Sequence, residues 1–151
     1  DRLELRVCDY VSDVNLLLAI TAFLELRILN LFENLDTLDP LISSGFSMAQ
    51  LSKICDQNEI EAAKNSLNAD LIHWKDGKNL ICKDWIMKLL ADLSNTAEKF
   101  KMKHLLKPIY NVLEEGNQSM KWIKQYKEGL SIEEIMKLSI EEMIRSEEEI
   151  I

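Results

Sequence analysis

The stretch SMAQLSKICDQNEIEAAKNSLNADLIHWKDGKNLICKD, Ser47 to Asp84, decides the fold. Ser47-Met48-Ala49-Gln50 is a capping box: the serine oxygen accepts the backbone N–H three residues on, and Gln50 reaches back to the serine N–H. It predicts a helix through Cys55. Asn58-Glu59-Ile60-Glu61 offers a second start, an Asx cap with acids in the first turn where the helix dipole favours them. Ile60, Ala63, Leu67 and Leu71 then form one apolar face. Leu71 to Trp74, Lys75-Asp76-Gly77-Lys78 and Asn79 to Cys82 follow, and Asp-Gly between two β-prone runs signals a hairpin over 71–82. Helix, helix, hairpin is the order of a winged helix, so the chain is expected to be mainly α, a winged-helix domain with one small β-hairpin and additional C-terminal helices.

A winged helix that reads DNA needs cations for phosphates and an Arg, Asn or Gln to meet base edges. Residues 47–84 carry five lysines against six acids, for a net charge of −1, and no arginine lies between Arg27 and Arg145. Asp56, Glu59 and Glu61 crowd the start of the second expected helix, where phosphate repulsion opposes docking. Nucleic acid is therefore not an expected partner.

The remaining composition agrees. The 151 residues carry a formal net charge of −8, and 47% hydrophobic content is ample for a core. The sequence pI is near 4.8. Only four Gly and two Pro punctuate the chain, which favours long helices. The longest unbroken apolar run, Leu16 to Ile20, is too short to span a bilayer, so no membrane segment is expected. The first residue is Asp1, and no basic leader precedes an apolar stretch, which reads as a fragment of a longer protein. Cys8, Cys55 and Cys82 are odd in number and form no C-x-x-C, so a disulfide framework is not expected and a reducing cytoplasm fits. With His73 and His104 they make no zinc-type spacing, and no metal site is expected.

Three regions emerge. Residues 1–46 hold N-terminal helices and a loop, with Leu3, Leu5, Val7, Val11 and Val14 opening the first helical region. From Asn15 to Phe32 the helix is apolar on nearly every side and must be covered on every side. Either it is a central core helix, or Leu17, Ile20, Phe23, Leu24 and Leu31 form a homodimer interface. Asp36 to Phe46 reads as a loop. Residues 47–84 are the winged-helix core, and 85–151 a helical extension. There, Asp84 is placed to cap a helix, and Lys99, Lys103 and Lys107 at i, i+4, i+8 make a basic stripe. That stripe is either a solvated face or a contact for an acidic partner. Pro108 should end or kink its helix, and Gly116 should close the segment Ile109–Glu115. Ser131-Ile132-Glu133-Glu134 is a second capping box, opening a helix expected to turn Ile132, Met136, Ile140 and Met143 inward. Glu147 to Glu149 are unfavourable at its end.

No catalytic, cofactor-binding or metal-binding residue stands out. The four glycines are scattered, so no glycine-rich nucleotide turn is seen, and neither histidine accompanies a nucleophile motif. His73 beside Trp74 reads as a packed strand residue, and Glu133/Glu134 and Glu141/Glu142 as solvated surface.

The order FLELRILNLFENL, a loop, FSMAQLSKIC, a capped helix, then DLIHWKDGKNLICKD resembles the N-terminal domain of O-methyltransferase-type, S-adenosylmethionine-dependent methyltransferases over about Leu16 to Asp84. Leu106 to Gly116 is a more distant echo. The resemblance implies a domain that pairs two subunits and roofs a substrate pocket, with S-adenosylmethionine bound by a Rossmann-like domain further along and no cofactor in this chain. Methyltransferases of this kind also occur in natural-product assembly, where an acidic carrier protein would give Lys99, Lys103 and Lys107 a use. This sequence has Asn68-Ala69-Asp70 where the family leads to a glycine before the wing. A helical adaptor or docking domain with no enzyme attached and a winged-helix transcriptional regulator are the competing readings.

Overall fold

A computed structural model describes residue 11 and residues 13–148. The helical region expected from Leu3, together with Cys8 and Glu149, lies outside them. The described chain is mostly helical, with one two-stranded antiparallel sheet. Its order is α1 (Val14–Glu33), α2 (Leu35–Leu38), α3 (Pro40–Ser43), α4 (Met48–Asn65), a 3₁₀ turn (Ser66–Asn68), β1 (Asp70–Ile72), β2 (Asn79–Ile81), α5 (Cys82–Asp92), α6 (Ser94–Lys99), a second 3₁₀ turn (Lys103–Leu106), α7 (Lys107–Glu115), α8 (Gln118–Lys127) and α9 (Ile132–Glu148).

α1 is the organising element. Asp13 caps it, accepting from the Asn15 N–H at 2.9 Å. Ala19, Ala22 and Leu26 share one face and are buried, and the two alanines let the second 3₁₀ turn, α6 and α7 approach closely. Leu90, Leu93, Ala97, Leu106, Ile109 and Leu113 complete this core. Judged by length and composition, α1 is the one described helix long and apolar enough to cross a bilayer, which the count of unbroken apolar residues misses. Its core contacts are with α6, α7 and the second 3₁₀ turn, and it also meets α9. Arg27, half-buried on it, has its pKa lowered by burial and partly restored by Asp92.

The capping box at Ser47 forms: the Ser47 N–H donates to Gln50 Oε1 at 2.8 Å and the Gln50 N–H to Ser47 Oγ at 3.4 Å. The two helices expected after it are one. Nothing between Cys55 and Asn58 breaks the backbone, and α4 runs unbroken from Met48 to Asn65. Asn58 does not cap; its side chain turns to the sheet. There it accepts from the Ile72 N–H at 2.7 Å and donates to the Ile72 carbonyl at 2.9 Å, so an amide takes the place of a third strand along the open edge of β1. The hairpin pairs Asp70 with Ile81, Leu71 with Leu80 and Ile72 with Asn79. Its turn closes through Gly77 at φ +72°, whose N–H reaches the His73 carbonyl at 2.9 Å.

Other boundaries move. Residues 36–46 contain two short helical turns, α2 and α3. α5 begins at Cys82, leaving Asp84 inside the first turn. Lys101 at φ +58° and the second 3₁₀ turn break the helix expected through Lys99, Lys103 and Lys107, and Pro108 sits in the first turn of α7, where a missing N–H costs nothing. Gly116 at φ +96° ends α7, as the sequence suggests. In α9 three of the four residues expected to face inward, Ile132, Met136 and Ile140, are exposed and Met143 is half-buried, while Ile135, Ser139 and Ser146 are buried. Ser139 turns inward because its hydroxyl accepts from Trp122 Nε1 at 2.8 Å and donates to the Ile135 carbonyl at 3.0 Å.

Candidate functional site

A concavity of about 630 Å³ opens where α1, α7, α8 and α9 meet. Its size is that of a small-molecule site. Leu16, Ile20 and Phe23 of α1, Ile86 of α5, and Ile109 and Val112 of α7 form an apolar wall. The opposite side is polar: Glu115, the Gly116-Asn117-Gln118-Ser119 junction and Lys121, with Asp13 and Glu142 also on the lining. Asn117 builds that junction. Its Oδ1 accepts from the Met120 N–H at 3.1 Å, capping α8, while its Nδ2 donates to Ser66 Oγ at 2.6 Å. Ser66, at φ +53°, is thereby tied to the start of α8. A side chain at Gly116 would be strained by φ +96° and would put its Cβ in tight contact, 3.3 Å, with that of Met120. Lys121 pairs with Glu115 at 3.3 Å. Among the described residues, the lining carries Asp13, Glu115, Glu142 and Lys121 as its charged side chains.

The expected residues scatter. Ile20 and Phe23 line this cavity, and Phe23 also packs on the core; Leu17 is 47% exposed, and Leu24 and Leu31 are half-buried. Lys99 pairs with Glu33, Lys103 pairs with Glu98 at 2.7 Å, and Lys107 opens α7. The Lys103–Glu98 contact lowers the Glu98 pKa and raises that of Lys103. His73 lies between Trp74 and Trp85, with ring centroids 5.5 and 5.2 Å away, and its Nδ1 is 3.2 Å from Asp76. Cys55 and Cys82 are free thiols, and burial pushes that of Cys82 up. Sequence reading missed the cavity because its walls come from α1, α5 and α7–α9. Only Gly116, read as a helix stop, marked its edge.

Residues 1–146 match Glutamate-cysteine ligase family 2 (GCS2). The chain belongs to that family. No curated protein and no solved structure matches it. The family match spans the whole of Leu16 to Asp84 and overturns the resemblance to a methyltransferase dimerisation domain, along with the methyl-transfer function inferred from it. An apolar helix, a capped helix and a hairpin are generic packing elements, and one of the two helices that carried the resemblance does not exist separately. The cofactor expectation changes with it, since ligases of the GCS2 family use ATP and not S-adenosylmethionine.

Among the described residues the lining offers a nucleoside triphosphate one lysine, Lys121, which is paired with Glu115 at 3.3 Å, and no glycine-rich turn to cradle its phosphates. Among the described residues, no group of three or more His, Cys, Asp or Glu side chains is placed to hold a metal ion.

Proposed function

We propose that this GCS2 chain serves an ATP-dependent ligase that joins the carboxyl of glutamate to the amine of cysteine. Its described helices supply the frame and a small-molecule cavity, and groups outside that cavity hold the nucleotide. The observation that carries this reading is the family match over residues 1–146. The test supplies the protein with glutamate, cysteine, ATP and magnesium, following phosphate release and the glutamyl-cysteine product by mass spectrometry. Phosphate release that depends on both amino acids is expected. Turnover in neither assay would overturn the reading.

A homodimer through α1 is part of the proposal. Leu17 and Leu18 are each 47% exposed on a helix of high mean hydropathy, a costly surface to leave in water. A reducing cytoplasm suits Cys55, an exposed free thiol.

A further inference from the structure

We propose that the corner between α6 and α7 docks an acidic peptide segment that carries apolar side chains among its carboxylates. Residues 99–107 hold Lys99, Lys101, Lys103 and Lys107 and no acid, and all four lysines are exposed. Glu33 answers Lys99 and Glu98 answers Lys103, so those two pairs offset internally. Lys101 and Lys107 make no ion pair among the described residues, and they set the sign of the corner. The backbone holds Lys101 there at a cost. The Met102 N–H donates to the Ala97 carbonyl at 2.8 Å and the Lys101 N–H to the Glu98 carbonyl at 3.1 Å, the paired closure that ends a helix on a left-handed residue. Glycine suits that position, yet Lys101 occupies it at φ +58°. A lysine kept where glycine is favoured points to a use for its charge. Apolar ground lies beside the cations: Phe100 is 41% exposed, with the Lys99 ammonium 5.4 Å from its ring centre, and Tyr110, 40% exposed on α7, lies within electrostatic range of Lys103. An acidic, partly apolar peptide meets both at once. Nucleic acid suits the corner less, because it has no arginine to fork onto phosphates and the net charge of −8 on the chain repels an extended polyanion. Such docking is separate from the ligase reading, and neither outcome there decides it.

The experiment titrates the full chain, at a salt concentration of about 0.15 M, into three fluorescein-labelled probes followed by anisotropy. The first is a capped peptide repeating glutamate, glutamate, leucine three times; the second has glutamine for every glutamate; the third is a heptathymidylate, whose six phosphates match the six carboxylates. The acidic peptide should bind saturably, about tenfold more tightly than the glutamine peptide, and more tightly than the oligonucleotide. Lys101→Gln and Lys107→Gln should each weaken it about threefold, and Lys124→Gln on α8, outside the corner, should leave it unchanged. Lys101→Gly should weaken it to the same extent with a melting temperature no lower than the parent's, which separates lost charge from damaged folding. Glu33→Gln releases Lys99 and should tighten the acidic peptide about threefold, a gain that unfolding cannot imitate. No saturable binding of the acidic peptide, equal affinity for the glutamine peptide, tighter binding of the heptathymidylate, or an affinity indifferent to the changes at Lys101 and Lys107 would each overturn the proposal.

Discussion

Asn58 shows how one side chain redirects a local signal. Its caps and acidic neighbours favour a helix start, yet two hydrogen bonds to Ile72 across 14 residues hold it on the side of a continuous α4. Asn58→Leu leaves the Ile72 N–H and carbonyl without partners at a partly buried position. It should cost about 2 kcal/mol, read as a lower urea midpoint at unchanged slope. Glu134 is a second such residue. It accepts from the Ser131 N–H and hydroxyl, each at 2.8 Å, and these bonds hold its pKa below the ordinary glutamate value. A depressed carboxylate contributes its stability above the unfolded-state pKa, about 4.3, and loses it as the pH falls through the folded value. The start of α9 should therefore fray in acid below about pH 4 in the native chain, while Glu134→Gln, unable to titrate, should show no such step by hydrogen exchange at Ile132 to Ile135.

Among the elements, those announced by backbone chemistry were legible in the sequence. Both capping boxes form, Asp76-Gly77 makes its hairpin, and Gly116 ends its helix. The failures arose where tertiary contacts choose the face or join the pieces. α9 carries two apolar stripes, and counting hydrophobic residues selects Ile132, Met136 and Ile140; the structure selects Ile135 and Ser139 because an indole N–H needs an acceptor. The cavity was invisible for a related reason: its apolar wall and its carboxylates belong to helices distant in sequence, and no local motif announces them. Ser139→Ala tests the α8–α9 contact. Losing the hydroxyl strands the Trp122 N–H, so it should cost about 1–2 kcal/mol and shift tryptophan emission to the red. Ser139→Thr, which retains an oxygen, should lose less if its methyl is accommodated.

At the scale of the whole molecule, exposed large apolar side chains among the described residues include Leu17, Leu18 and Phe32 on α1, Leu35, Leu41 and Ile42 at the α2–α3 corner, and Ile132, Met136 and Ile140 on α9. Leu17→Glu with Leu18→Glu tests the α1 dimer better than a change at Phe23, which packs on the core and would confuse unfolding with dissociation. The double variant should sediment as a folded monomer at tens of micromolar where the parent is a dimer; a monomeric parent would remove the dimer proposal. One bond reaches across the entire described chain: the Val14 N–H donates to Ser146 Oγ at 3.3 Å, over a separation of 132 residues. The beginning of α1 and the last turns of α9 are therefore neighbours in space. Closing so long a loop is an entropic step that the locally paired hairpin does not share, so α9 should dock late in folding. The same adjacency makes the order of the chain negotiable. A circular permutant joining residues 13 and 148 through a short flexible linker, and opened at the exposed Gly45, should fold with a melting temperature within about 5 °C of its uncut parent of residues 13–148, and should acquire α9 protection earlier in pulse-labelling hydrogen exchange.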